Sequence, residues 1–344
     1  MNKIFKKKVF FIAEISGNHD QNFKKAKKII KEISKTGADA IKFQTFQPDE
    51  ITLDSNRSYF KINEKKSIWS GKKLYNLYKK SAMPWEWQEE LFHYSKKLGL
   101  IPFSTPFGLK SLNFLKKLKS PMYKVASLEN SHYPLLREIV KTQKPIILST
   151  GSATLKEIED SVKYIRKLGC KKLVLLKCTS VYPAKFEDLN LNGIKTLKRK
   201  FNCKIGFSDH SRGIVGSMAA IAVGAEVIEK HVKLFKNDKS IDAKFSITPN
   251  EMKELILNAN LINASLGDEN KFRTKNEKYA FKRRRSIFVI KDIRLKEKFT
   301  NKNINVLRPN KGIHPKHYFS IIGKKSKLNL KKGTPLKKKH IFSK

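Results

Sequence analysis

His210 and His231 each follow an apolar run, the first after CKIGFSD and the second after AEVIEK, with a small-residue helix expected from about Gly213 to Val223 between them. In a parallel strand–helix–strand unit the carboxyl ends of both strands open on one side, so the two imidazoles can converge although twenty-one positions separate them. Two such imidazoles would serve a divalent metal, with carboxylates and water completing the shell. Other polar residues recur at the ends of apolar runs: Glu14, Lys42, Ser104 and Thr105, Lys124, Ser127 and Glu129, Ser149 and Thr150, Lys177 and Thr179, Ser208 and Asp209. Lysines and hydroxyls converging from different strands suit a small phosphorylated or carboxylated substrate. A metal held by imidazoles polarises a carbonyl oxygen, so the set points to addition to a carbonyl. Lys42 and Lys124 carry extra weight, because each sits inside an apolar strand where an unpaired ammonium is costly.

The elements that must position these groups alternate regularly. Apolar runs at 9–15, 38–43, 100–103, 122–125, 145–148, 173–176, 205–207 and 227–228 read as eight strands, with helical segments between them and a last helix from Pro249 to Leu266. Polar residues at the end of essentially every strand are the mark of a (β/α)8 TIM barrel, whose site is built on that face. An open doubly wound sheet would gather them at one switch point beside a Gly-rich phosphate loop, and no such loop is present. Residues 45–83 are too long for an ordinary connection and read as an excursion over the same face, with Pro84 opening the next helix. The expected organisation is a barrel over 1–267, a polar linker over 268–285, and a small mostly-β domain over 286–344 marked by Lys-Gly and Pro punctuation.

The net charge of +44 over 344 residues comes mostly from Lys spread at helical spacing, as in Lys24, Lys25, Lys27, Lys28, Lys31 and Lys35, and reads as solvated surface. Nucleic-acid contacts cluster and favour Arg. No apolar run approaches the roughly 20 residues that span a bilayer, and the first residues lack a signal peptide's cleavage pattern, so a cytoplasmic protein without a membrane partner is expected. Cys170, Cys178 and Cys203 show no disulfide spacing and are expected to be reduced.

The motifs IAEISGNH (12–19), IKFQTF (41–46), IPFSTPF (101–107), YKVAS (123–127), ILSTG (147–151), LLKCTSVYPA (175–184), GFSDH (206–210), EKH (229–231) and RPNKGIHP (308–315) resemble the sialic acid synthase family. The excursion is similar too, through WSGKKLYNLYKKSAMPWEW (69–87). SGNH, LLKCTS and GIHPK look most like the family's pseudaminic branch. The resemblance implies condensation of phosphoenolpyruvate with an N-acetylated amino sugar, here a 2,4-diacetamido-2,4,6-trideoxy-altrose, to give pseudaminic acid and phosphate with C–O cleavage. It implies that His210 and His231 bind the metal, usually Mn²⁺, with Mg²⁺ or Co²⁺ as substitutes. It places Lys42, Thr105, Lys124, Ser127, Ser149 and Ser208 around phosphoenolpyruvate, Gln44, Tyr182 and Asp242 on the sugar side, and Glu14 as an acid near the metal. Glu14 is the candidate general base, His231 and Asp242 are the other expected catalytic residues, and Glu129 joins the substrate-binding set. It also implies an antifreeze-like (SAF) final domain that reaches across a domain-swapped homodimer, carrying Arg308 into the partner's site.

Two departures stand out. After His231 the family often has F-T-L-D-R and a Gly pair before the Asp matching Asp242, where this chain has VKLFKNDKSID (232–242), and Ser180 replaces an Asn. The competing readings are an N-acetylneuraminic or legionaminic acid synthase of the same family and, from another class, a non-catalytic nucleic-acid or anionic-surface binder resting on +44 and Arg283 to Arg285. The last predicts steeply salt-dependent binding with little sequence preference.

Overall fold

The computed structural model describes residues 3–63 and 69–342. Residues 64–68 of the expected excursion, and the outermost residues of the chain, lie outside that description. The chain divides into two compact units between Leu266 and Gly267.

In the first unit eight parallel strands close on themselves: β1 (Phe10–Glu14), β2 (Ala40–Thr45), β3 (Ile101–Pro106), β4 (Tyr123–Val125), β5 (Ile146–Ser149), β6 (Leu173–Cys178), β7 (Lys204–Asp209) and β8 (Val227–His231), with β8 pairing back to β1. The expected TIM barrel is present. Helices form where their sequences cap and pattern them. Asn22 caps the helix Phe23–Ser34, whose buried Ala26, Ile29, Ile30 and Ile33 fall on one face at helical spacing. Thr154 with Glu157, and Thr248 with Glu251, form capping boxes that open Leu155–Lys167 and Pro249–Ser265. The excursion between β2 and β3 contains a helix at Leu74–Ser81, and Pro84 opens the next at Trp85–Lys97.

Successive strand side chains point to opposite faces, and the barrel sorts them accordingly. Outward residues such as Ile41, Phe43, Val125, Leu148, Leu175 and Phe207 pack under the helices. Inward residues Phe10, Ile12, Ala40, Phe103, Met122, Ile147, Val174, Leu176 and Val227 make an apolar floor, with Ile4 packed against it. Two positions further along their strands come Glu14, Lys42, Thr105, Lys124, Ser149, Cys178 and Glu229, so a polar layer rests directly on that floor.

The strands run further than the apolar runs suggest, and this turns some expected mouth residues away. Ser104 Oγ lies 2.6 Å from Thr45 Oγ1 on the outer face, Lys177 Nζ donates to the Cys178 carbonyl at 3.0 Å, and Asp209 pairs with Lys230 at 3.1 Å behind the sheet. The cause is the two-residue period: of adjacent polar residues at a strand end, only one can face the axis.

In the second unit β9 (Ser286–Val289) and β10 (Ile304–Leu307) pair antiparallel over a core that includes Ile287, Phe299, Ile304 and Leu336. The strands are short, because turns and Pro interrupt the ladders, and further pairing is by isolated bridges such as Ile293↔Leu330 and Lys298↔Lys325. Within 268–285, Thr274 and Glu277 cap a turn leading into a short helix at Lys278–Lys282. Among the described residues no helix is long and apolar enough to cross a membrane.

Candidate active site

Register brings the first cluster together. Glu14 on β1 lies opposite Lys42 on β2 and opposite His231 on β8, and Ser208 on β7 lies opposite Glu229 on β8. Glu14 Oε1 is 2.9 Å from Lys42 Nζ and accepts a hydrogen bond from Gln44 Nε2 at 2.9 Å, while Glu14 Oε2 is 3.2 Å from His231 Nε2. Lys42 Nζ also lies 3.2 Å from Glu229 Oε2 and 3.4 Å from Thr105 Oγ1. Lys124 Nζ is 3.6 Å from Glu229 Oε1, which accepts from Ser208 Oγ at 2.9 Å. All of these charged groups are buried. Burial alone would raise the Glu14 carboxyl, but the charge and hydrogen bond of Lys42 and the hydrogen bond from Gln44 outweigh it and hold the group ionised near neutral pH. Burial likewise opposes the charge on Lys42, and the two carboxylates overcome it, so its affinity for the proton rises. For Lys124 burial wins, aided by repulsion from Lys42, and its pKa falls.

The two imidazoles sit at the edge of this cluster with ring centroids 5.4 Å apart. His210 Nδ1 is 2.9 Å from the Thr179 carbonyl; the tautomer that donates there leaves Nε2 with its lone pair. Burial, with the charges of His210 and Lys42, lowers His231 to about 3 against the pull of Glu14, so the ring is neutral near neutral pH. Its Nδ1 is buried without a hydrogen-bond partner, 3.9 Å from Asp242 Oδ2. The neutral His231 ring with its free nitrogen fits a divalent ion. At His210 burial opposes the proton, but Cys178, the Thr179 carbonyl and Glu14 favour it and raise the ring's affinity for a proton, which an ion bound there would displace. Among the described residues no group of three or more His, Cys, Asp or Glu side chains is arranged around one ion, so water and substrate would complete its shell. Tyr182 packs 4.4 Å from His210 and Phe245 packs 4.9 Å from His231, with Trp69 of the excursion 5.6 Å from Tyr182, making an aromatic wall beside the pair.

The turns after β4, β5 and β6 form the other edge. Ser127 Oγ accepts from the Gly151 N–H at 3.1 Å, and a Cβ added at Gly151 would stand 2.3 Å from Ser180 Oγ and 2.7 Å from Ser127 Oγ. Only glycine lets the three turns approach this closely. Ser149 Oγ, Ser180 Oγ and Glu129 Oε2 are buried without hydrogen-bond partners. Burial raises Glu129 to about 7 despite the nearby Lys124 charge. Buried polar atoms are nearly always paired, so this set, with His231 Nδ1, has the character of a site awaiting a polar ligand.

Thus Glu14, Lys42, Gln44, Thr105, Lys124, Ser208 and His231 meet in one network, with His210 beside it, while Ser127, Glu129 and Ser149 line the second edge. Asp242 closes on the turn after β1, where Ser16 Oγ and the Gly17 N–H both donate to its Oδ2. Arg308 is exposed on the second unit, directly after β10. Sequence reasoning set Glu229 at the end of the eighth strand but gave it no part in the site, although its place two residues before His231 carries the inward phase. It also missed Cys178, a free thiol whose Sγ is 3.7 Å from His210 Nδ1. Burial would raise that thiol, but the charge and hydrogen bond of His210 lower it to about 7. An open cavity of about 570 Å³ elsewhere, between the helix Phe23–Ser34 and residues 234–239, is a lysine-lined depression remote from these groups in character; its Lys25 is already paired with Asp20 and Asp238.

The chain is 41% identical over 336 residues to pseudaminic acid synthase of Campylobacter jejuni, covering 96% of each protein. It is 42% identical over 328 residues to pseudaminic acid synthase of Helicobacter pylori, covering 94% of this chain and 95% of the relative. The crystal structure of N-acetylneuraminic acid (sialic acid) synthetase from Leptospira borgpetersenii, in complex with citrate, matches with a TM-score of 0.71 at 33% identity, over 79% of this chain and 90% of that one. Residues 284–341 match the SAF domain, and residues 29–271, which hold seven of the eight barrel strands, match the NeuB family, to which this chain therefore belongs.

Proposed function

We propose that this protein condenses phosphoenolpyruvate with 2,4-diacetamido-2,4,6-trideoxy-altrose to give pseudaminic acid and phosphate. The observation that carries the reading is the pairing of a buried Lys42–Glu14–Glu229–Lys124 network with unpartnered polar atoms on Ser149, Ser180, Glu129 and His231. The pseudaminic acid synthases at 41% and 42% identity support the choice of sugar.

In the reaction, C3 of phosphoenolpyruvate bonds to the aldehyde carbon of the open-chain sugar, water adds at C2, and the C2–O bond to phosphate breaks. Lys42 and Lys124, with Thr105, Ser127, Ser149 and Ser208, take the carboxylate and phosphate. As these anions arrive they replace part of the compensation that Glu14 and Glu229 supply to the two ammonium groups. Glu14, held ionised, accepts the proton released by the water; the new hydroxyl at the former aldehyde oxygen gains one, so protons balance. Gln44 orients Glu14 through its amide, and Tyr182 and Asp242 hold the sugar. His210 and His231 would hold the divalent ion, Mn²⁺ by preference, which when bound polarises the aldehyde oxygen. Arg308 of the SAF domain completes the partner's site in a domain-swapped homodimer.

The test is incubation of the purified protein with phosphoenolpyruvate, Mn²⁺ and, separately, this sugar, N-acetylmannosamine and the precursor of legionaminic acid. Phosphate release and a nine-carbon acid are expected with the first sugar. Turnover confined to either of the others would reassign the acceptor, and none with any of the three would overturn the reading.

A further inference from the structure

Residues 16–18 after β1 and residues 240–242 before Ala243 are 222 to 226 residues apart in sequence yet meet residue by residue in antiparallel order. Ser16 Oγ and the Gly17 N–H donate to Asp242 Oδ2. Ser240 Oγ donates to Asn18 Oδ1 at 2.6 Å, and Lys25 bridges Asp20 and Asp238 at 2.5 and 2.8 Å. Asn18 Nδ2 donates in addition to the Val232 carbonyl and to Ser246 Oγ, each at 2.8 Å, and Ser246 Oγ donates to the Asp242 carbonyl at 2.6 Å. Ser16, Asn18, Ser240 and Asp242 are all buried.

Two details of this lock are unusual. Ser16 has φ +50°, a left-handed conformation that a side chain adopts at a cost and that here aims its hydroxyl at Asp242. Gly17 has no room for a side chain, since a Cβ there would stand 2.3 Å from Ile241 Cγ2. These two residues fall in SGNH, and their partners fall in SID at the end of 232–242, so a branch-like motif and the departing 232–242 segment meet in one place.

We propose that the 16–20 turn and the 238–242 loop are a single interlocked unit that sets how tightly the acceptor sugar is held. Ser16 is its positioning residue: by occupying Asp242 Oδ2 it leaves Oδ1 as the oxygen that receives a hydroxyl or amide N–H of the acceptor. The Gly17–Ile241 contact sets how closely the loop approaches the turn. The proposal rests on the reading of Asp242 as a sugar-side group.

The test is steady-state kinetics with each substrate varied in turn for the wild type, Ser16→Gly, Gly17→Val, Ile241→Ala and Gly17→Val/Ile241→Ala, beside their melting temperatures. Ser16→Gly relieves the backbone and removes the hydroxyl, so its melting temperature should not fall. Its KM for the acceptor should rise about tenfold or more, the weight of a hydrogen bond to a charged group, while its KM for phosphoenolpyruvate stays within about twofold. Gly17→Val should raise the acceptor KM by a larger factor, and adding Ile241→Ala should recover most of it, because residues in contact are not additive. A merely structural lock would move both KM values and the melting temperature together. Wild-type acceptor KM in Ser16→Gly, or effects of Gly17→Val and Ile241→Ala that simply multiply, would overturn the proposal; if Gly17→Val does not fold, Ser16→Gly decides alone. A wild type that turns over no sugar sinks the functional reading and this proposal with it, whereas a wild type that turns over normally beside an unaffected Ser16→Gly sinks the proposal only.

Discussion

Replacing Lys230 by Met should destabilise the barrel far more than a single conservative change of volume would suggest. Lys230 and Asp209 are register partners on β8 and β7, face away from the barrel axis, and have no solvent exposure. Their charges are 3.1 Å apart, and Lys230 Nζ also donates to the Ser211 carbonyl. Asp209 accepts from the Ser211 N–H at 2.8 Å, from Ser211 Oγ at 2.7 Å and from Ser217 Oγ at 2.6 Å. Met fills much of the same space, so the cavity cost is small and the loss is chiefly electrostatic. Breaking a buried pair by removing one partner costs about 3–5 kcal/mol, because the other charge stays buried and uncompensated. In a unit of this size that corresponds to a fall in melting temperature of about 10 °C. Adding Asp209→Asn removes the stranded charge while keeping an acceptor for Ser211, so the double variant should regain most of the loss. Urea unfolding and calorimetry of the single and double variants measure both quantities. A Lys230→Met midpoint within about 0.5 kcal/mol of wild type, or a double variant no better than the single, would refute the account.

Other outcomes follow from the same geometry. Glu129 keeps its proton to about 7 when folded, against 4.5 for the ordinary group. The native state therefore binds more protons between those values, and stability should fall as pH rises through that window by about 3 kcal/mol in total. Urea titrations across pH should show this slope in wild type and lose it in Glu129→Gln; an equal slope in both would exclude Glu129 as its source. Chelation, and separately His210→Ala or His231→Ala, should abolish turnover, with Mn²⁺ restoring the chelated wild type alone; full activity in metal-free buffer would contradict the role given to the imidazoles. Lys124→Met should raise the KM for phosphoenolpyruvate by about tenfold or more with the acceptor KM little changed, as expected for loss of one charge-assisted contact.

The barrel was legible because each inner strand is an apolar run closed by a polar residue, a pattern that survives without knowing any contact. Depth within the strand was less legible. Ser104, Lys177 and Asp209 were grouped with the mouth, while Glu229 and Cys178 were passed over, and the two-residue phase counted back from Thr105, Ser208 and His231 separates the two sets. The zipper of Ser16, Gly17 and Asn18 with Asp242, Ile241 and Ser240 could not be read from either segment, since each contains short polar residues with many local partners available. In the second unit, turn residues revealed where strands stop and left unstated how little of the chain between them would pair.

The greasy plug of Phe10, Ile12, Phe103, Met122 and their neighbours seals the barrel beneath the polar layer, so under the proposed function substrates should reach that layer from the carboxyl ends of the strands alone. Under the proposed function, the anion taken by Lys42 and Lys124 should enter before the sugar settles above it and leave after it. Substrates should therefore queue, and an analogue of the upper one should trap the lower one inside.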